Sequence, residues 1–202
     1  MTQLFKKIYV RIKYILIPPK QVFLLEMVLN SNSNISSNNF SLNEAYELRQ
    51  FNSERDFISY TQLLKETEMG ECPLDYWYKH ILPDGFFVVV HIPSGTIVGT
   101  CFASHHPSER HPFAGNLGWL AVHPNHRGHR IAQLLVEQVV SRLKSAGYKR
   151  IYLETQDFRV PAILLYLKTG WIPYLYNNDV TQRWKVICNE IKYEFSPHKW
   201  NV

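Results

Sequence analysis

Cysteine is scarce in this 202-residue chain: there are only Cys72, Cys101 and Cys188. The number is odd, the spacings are wide and no C-x-x-C occurs. Neither a disulfide framework nor a zinc knuckle is therefore expected, and a reducing cytoplasm fits best. Long apolar runs are missing too. In "MTQLFKKIYVRIKYILIPP" the longest uncharged apolar run, Tyr14 to Ile17, is far short of the ~20 residues that span a bilayer. Its charges interleave with its apolar residues, which a signal peptide would keep apart. Two patterns stand for this stretch. Phe5, Ile8, Ile12 and Ile15 would line one face of a basic amphipathic helix, while Val10, Ile12 and Tyr14 alternate with Arg11 and Lys13 as in a strand. Membrane association is not expected.

The chain also lacks internal repeats and any basic stripe interleaved with aromatics, so nucleic-acid binding is not expected. His123, His126 and His129 recur every third residue, but Pro124 and Gly128 interrupt any helix there. No cysteine or carboxylate completes a ligand shell, and no metal is expected.

What is present is apolar and aromatic. The composition is 46% hydrophobic, with 12 Tyr, 11 Phe and 5 Trp, enough to bury a sizeable core. The net charge of +5 favours an anionic partner without choosing one.

Along the chain, "VFLLEMVL" (Val22 to Leu29) reads as a buried strand, followed by the Asn/Ser-rich linker Asn30 to Asn43. The expected organisation is an N-terminal appendage over 1–43 and a catalytic-type domain over 44–202. Within the latter, Ala45 to Phe51 reads as a strand. A capping signal at Ser53 with Asp56 opens a helix bearing Phe57, Tyr60, Leu63 and Leu64. "FFVVVHI" and "TIVGTCFAS" flank "PSG" as a hairpin, and Asn116 to Pro124 is a further strand. A helix over Ile131 to Ala146, a strand over Arg150 to Thr155, a short helix over Ala162 to Lys168, the strand "WIPYLYN" and a terminal helix in "TQRWKVICNEI" follow. This order implies an α/β (α+β) fold, a mixed central sheet with helices on both faces.

One stretch carries chemistry. "HPNHRGHRIAQLLVEQ" puts Arg127, Gly128, His129 and Arg130 where a helix begins. The first N–H groups of a helix have no partner inside it and, with the helix dipole, favour an anion. Gly128 removes a β-carbon from the approach, and Arg127 and Arg130 add charge suited to phosphate. A pyrophosphate is the expected ligand.

"LAVHPNHRGHRIAQLLVEQV" resembles the coenzyme A-binding motif of the GNAT acetyltransferase superfamily, Arg/Gln-x-x-Gly-x-Gly/Ala after a strand ending in Val-x-Pro. The match runs over Leu120 to Val122, Pro124 and Arg127 to Ala132. "AILLYLKTGW" (Ala162 to Trp171) resembles the family's Ala-x-x-Leu-Tyr-x-x-x-Gly-Phe segment. By element order the resemblance covers Ala45 to Asn178. Asn125 stands where the family has Arg or Gln, Arg130 where it has Gly or Ala, and Arg159 and Pro161 lie where many members carry an asparagine.

The resemblance implies the GNAT fold and transfer of an acetyl group from acetyl-CoA, a co-substrate, to an amine of a small molecule or protein in a ternary complex. It implies that Leu120, Ala121, Val122, Arg127, Gly128, His129, Arg130, Ile131 and Ala132 bind the cofactor, with main-chain groups of the strand holding the pantetheine arm. It also implies that Tyr166 is the general acid, since a phenol stays protonated at neutral pH. The base is left open among Glu154, near the end of its strand and able to act directly or through water, and His105, His106 and His111 in the loop before Asn116. A monomer or homodimer is expected. The competing expectation is a catalytically silent module that binds acyl-CoA or another protein.

Overall fold

The computed structural model of the protein describes residues 24–30 and 42–200. The two patterns read for the first 19 residues fall outside them. Among these residues, runs rich in β-branched and aromatic residues form seven strands: β1 (Leu25–Leu29), β2 (Tyr46–Gln50), β3 (Ile81–His91), β4 (Thr96–His105), β5 (Gly115–Val122), β6 (Ile151–Thr155) and β7 (Trp171–Pro173). They make one sheet in the order β2-β3-β4-β5-β6-β1-β7. All neighbours are antiparallel except β5 and β6, which run parallel. The parallel pair is joined through a helix, as parallel strands require.

Among the described residues, five α-helices cover the sheet: α1 (Ser53–Glu66), α2 (Leu74–Trp77), α3 (Ile131–Ser145), α4 (Val160–Lys168) and α5 (Asn178–Ile191). Alternation along the strands divides the apolar residues between two layers. Leu25, Met27 and Leu29 of β1, Cys101 and Ala103 of β4 and Leu153 of β6 join Leu135 and Leu143 of α3, Tyr166 of α4 and Trp184 of α5 in the larger cluster. Phe86, Val88 and Phe102 face the other way, against Tyr60, Leu63 and Leu64 of α1. The mixed sheet with helices on both faces is thus the architecture expected from the element order.

Local chemistry adjusts several boundaries. The cap of α1 is Asn52, one residue before the expected Ser53; its side chain accepts from the N–H groups of Glu54 and Arg55. Asp56 then accepts from the Asn52 N–H (2.8 Å) and binds Arg49 of β2. α4 begins at Val160 with Pro161 in its first turn, where the missing N–H costs nothing. α5 begins at Asn178, capped by Asn177. The last strand is three residues, not the seven of "WIPYLYN", because Tyr174 and Tyr176 turn away to pack beside Arg150 and Arg110. The one-turn α2 has no counterpart in the sequence reading.

Leu25–Leu29 lies in the segment grouped by sequence with the N-terminal appendage. It sits inside the sheet, between β6 and β7, with all five residues buried.

Candidate active site

The β5–β6 pairing is short. It covers Gly115↔Ile151, Asn116↔Tyr152 and Leu117↔Leu153 and then stops. Gly118–Val122 stays bonded to β4 on its other edge, with Ala121 opposite Thr100 and Val122 opposite Gly99. The strand is irregular here: its register with β4 shifts between Thr100 and Phe102, and Trp119 has a φ of 54°. Such a break bends a strand and turns main-chain groups out of the ladder. The main-chain edge of Leu120, Ala121 and Val122 toward β6 is therefore open.

Beyond β5 the chain makes a 3-10 turn at Pro124–His126 and enters α3. The loop between them is basic and contains a glycine just before the head of the helix. Gly128 has φ +87°, and a β-carbon added there would meet nothing within 4 Å. Arg130 caps α3 in a left-handed conformation, φ 60°, and no side chain caps the N–H groups of Ile131 and Ala132. These first-turn donors have no acceptor within the helix. The Arg127 guanidinium leans back on β5, donating from Nε to the Val122 carbonyl (3.3 Å). His129 packs by its ring on Tyr46 (5.3 Å between centroids). The nine residues expected at the cofactor thus follow one another along the chain from the open β5 edge to the head of α3, with the Ala121 and Ile131 side chains buried beneath.

The neighbouring histidines are engaged separately. His123 bonds Glu66 (3.0 Å) and accepts from the Asn125 N–H, and His126 bonds the Tyr46 hydroxyl (3.0 Å). Among the described residues no group of three or more His, Cys, Asp or Glu is placed to hold a metal ion.

Tyr166 is buried on α4, near Trp171. Burial and the nearby Cys101 push its phenol well above the ordinary range, against Arg159. Its hydroxyl has no hydrogen-bond partner among the described residues. Cys101 itself donates to the carbonyl of Gly118, at the first unpaired position of β5 (3.4 Å). Arg159 donates to Gln156 (2.9 Å) and to the Glu68 carbonyl (3.4 Å), tying the β6–α4 loop to the end of α1.

Glu154 is the first residue of β6 past its last partner on β5. Alternation puts it, with Tyr152, on the sheet face opposite the Tyr166 cluster. It keeps solvent-accessible area, and no hydrogen bond or ion pair engages it among the described residues. Protein packed around its carboxyl, and the charge of Glu26, push it above the usual carboxylate range; Arg110 and His111 pull the other way.

The three histidines are not equivalent. His105 is exposed and bonds the Tyr148 hydroxyl (2.8 Å). His106 lies between the hydroxyls of Tyr76 (3.0 Å) and Tyr152 (3.3 Å), its ring lowered in basicity by burial and by His80 and His105. His111 is fully buried with both nitrogens occupied: Nε2 faces Glu26 (2.9 Å) and Nδ1 accepts from Arg150 Nε (3.0 Å). No nitrogen of His111 remains for a substrate.

Glu26, Arg110 and Arg150 were not singled out from sequence. The one available signal was Glu26 itself, a lone charge inside the apolar run "VFLLEMVL". A buried charge needs a partner, and a strand otherwise so apolar has little reason to carry one.

Comparison with known proteins agrees with this geometry. The model of the acetyltransferase (GNAT) family matches residues 45–171. An uncharacterized N-acetyltransferase of Schizosaccharomyces pombe is 32% identical over 106 residues, which cover 49% of this chain and 61% of that protein. N-alpha-acetyltransferase 30 of Saccharomyces cerevisiae is 29% identical over 133 residues, 63% of this chain and 75% of that one. Among solved structures, a chain of the NatC complex bound to Gag peptide and CoA superposes with a TM-score of 0.54 at 27% identity, covering 63% of this chain and 84% of that chain. With the family's model matched over more than half of its length, the chain belongs to the GNAT acetyltransferase family.

Proposed function

We propose that this protein is an acetyl-CoA-dependent N-acetyltransferase acting on the α-amine of a peptide or protein by direct attack in a ternary complex. One observation carries the reading. Where β5 and β6 part, two groups with unused hydrogen-bonding capacity, the Glu154 carboxylate and the Tyr166 hydroxyl, lie on opposite faces of the sheet. Reaction through the gap needs a base on the amine side and an acid on the thiol side. The choice of an α-amine rests on the likeness to N-alpha-acetyltransferase 30 and to the peptide-bound NatC chain.

In this reading the loop at the head of α3 binds the pyrophosphate, and the open edge of Leu120 to Val122 aligns the pantetheine arm. Main-chain N–H groups there stabilise the oxyanion that forms as the amine nitrogen bonds to the thioester carbon. Glu154 takes the amine proton, directly or through water. Tyr166 donates its proton to the departing thiolate and is restored from solvent. No bond forms between protein and acetyl group. Cytoplasmic location and a monomeric or dimeric state belong to the same proposal.

Calorimetric titration with acetyl-CoA, for wild type and Gly128→Glu, tests the cofactor half. Micromolar affinity lost in the variant, with a cooperative melt lowered only by the modest strain of a non-glycine residue at φ +87°, is the expected result. Thiol release with peptides bearing free or blocked α-amines tests the acceptor half. Binding without turnover of any free amine would leave the silent acyl-CoA module as the better reading. No binding to wild type would sink both.

A further inference from the structure

Glu26 is a full charge at 1% exposure, delivered by a strand outside the 45–171 family match. It stands directly opposite Glu154 in the β1–β6 register. Side chains so paired lie on the same face with β-carbons ~5 Å apart. Two carboxylates this close disfavour each other's ionisation, so the one with charge partners stays ionised and the other is pushed up.

Glu26 has those partners. Arg110 donates to Oε1 from both Nε (2.8 Å) and Nη2, and His111 Nε2 meets Oε2. Because Arg150 donates to His111 Nδ1, the ring proton lies on Nε2 and is given to Glu26. Burial opposes the charge, but the bonds from His111 and Arg110 outweigh it and hold Glu26 below the usual carboxylate range. Glu154 has no such set.

The surrounding elements keep this division. On β6, Tyr152 stacks on His111 (4.4 Å between centroids), and burial beside Glu154 and Glu26 keeps its phenol protonated. After β7, Tyr174 lies 4.9 Å from His111 and under Arg150, while Tyr176 lies under Arg110 and donates to the Leu24 carbonyl (3.0 Å). From α5, Arg183 reaches this side paired with Asp157, with Asp179 near.

We propose that Glu26 is a positioning residue for acetyl transfer: locked as a carboxylate by Arg110 and His111, it fixes Glu154 across the strand pair as the proton acceptor on the amine side. This rests on the reading of Glu154 as the base. It makes the N-terminal strand part of the catalytic apparatus through its charge as well as its packing.

The test is carbon-13 titration of the glutamate side-chain carboxyls in the full-length protein. Glu154→Gln identifies the Glu154 signal, and Glu26→Asp identifies that of Glu26 while keeping a charge in place. In Glu26→Gln the Glu154 midpoint is expected to fall by about one pH unit. In Glu26→Asp it should stay near the wild-type value. If Glu26→Gln does not fold, the wild-type Glu26 signal must show a second inflection at the Glu154 midpoint. An unmoved midpoint, or no such inflection, overturns the proposal, since a merely structural role lowers the melting temperature without moving a titration. The base reading is tested apart, by turnover of an unblocked peptide. Loss of about 100-fold or more in kcat is expected for Glu154→Gln. Full kcat in that variant removes the base reading, and the Glu26 proposal with it. A lost kcat with an unmoved midpoint removes only the Glu26 proposal.

Discussion

Gly99 of β4 and Ile131 of α3 meet so closely that a β-carbon on Gly99 would stand 2.6 Å from Ile131 Cγ2. Ile131 is the first residue of α3 and is almost fully buried. The head of the helix is therefore seated on the sheet by a missing side chain, and its free N–H groups are placed by that contact. Gly99→Ala is expected to cost about 1–3 kcal/mol from overpacking and to weaken acetyl-CoA binding. Ile131→Ala removes the obstructing methyl, so the double variant should lose less than the two single losses added. Chemical denaturation and calorimetry of the four proteins check both statements.

Arg130 occupies a left-handed cap where a side chain brings strain and glycine does not. Arg130→Gly is expected to raise stability by about 1 kcal/mol. The same exchange tests whether the guanidinium serves the pyrophosphate. If it does, acetyl-CoA affinity falls while the melting temperature rises, and the two readouts move in opposite directions.

For Tyr166→Phe the expectation is a different dissociation. Tyr166 as a residue is buried, but its hydroxyl bonds no other described residue, so its removal breaks no protein hydrogen bond and should leave stability nearly unchanged. A general acid, however, contributes about 10²–10⁴-fold to rate. A drop in kcat of that order with an unchanged melting curve is the expected result. Unchanged kcat would assign the thiolate's proton to another donor.

Much of this was legible because it is local. Period-2 runs, the helix over Ile131 onward and the Arg127–Gly128 loop are written in neighbouring residues, and the order of elements limits the topology. The cap at Asn52 was missed by one position because Asn and Ser are both good caps, and the choice depends on Asp56 turning toward Arg49. What could not be read was the partner of β1. Nothing in "VFLLEMVL" names β6 and β7, which lie more than 120 residues on. The Glu26–His111–Arg150 chain follows from that pairing and was hidden with it. His111 looked like a candidate base because its sequence setting does not show that both ring nitrogens are taken.

The Arg49–Asp56 pair joins β2 to the first turn of α1, with Nη2–Oδ1 at 2.8 Å and Asp56 buried. Burial alone would raise Asp56; hydrogen bonds from Arg49 and the Asn52 N–H outweigh it and hold the carboxyl below the usual range. Its folded value thus lies below its unfolded one. The stabilisation is fully present above the unfolded value and is lost as pH falls through the folded one. Asp56→Asn leaves a mostly buried guanidinium unpaired and is expected to cost about 3 kcal/mol at neutral pH. The gap from wild type should narrow as the solution is acidified below the unfolded value, which denaturation at several pH values would read. A constant gap would mean that packing, and not charge, is what Asp56 supplies.

Deleting residues 1–30 removes β1 and with it the strand between β6 and β7. Each would then present an unpaired edge, and Leu25, Met27 and Leu29 would leave a trough beside the α5 cluster. Complete removal of such large core side chains costs about 2–5 kcal/mol each, close to the whole stability of a domain. The truncated protein is expected to aggregate or to melt without cooperativity. A synthetic peptide of residues 20–30 added in trans should restore a cooperative transition by re-entering the slot, and acetyl-CoA binding should return with it. Replacing Glu26 by Gln in that peptide isolates its charge from its strand: the transition should return while the Glu154 midpoint stays low. A truncated protein that melts cooperatively and binds acetyl-CoA unaided would mean that β6 and β7 close on each other without β1.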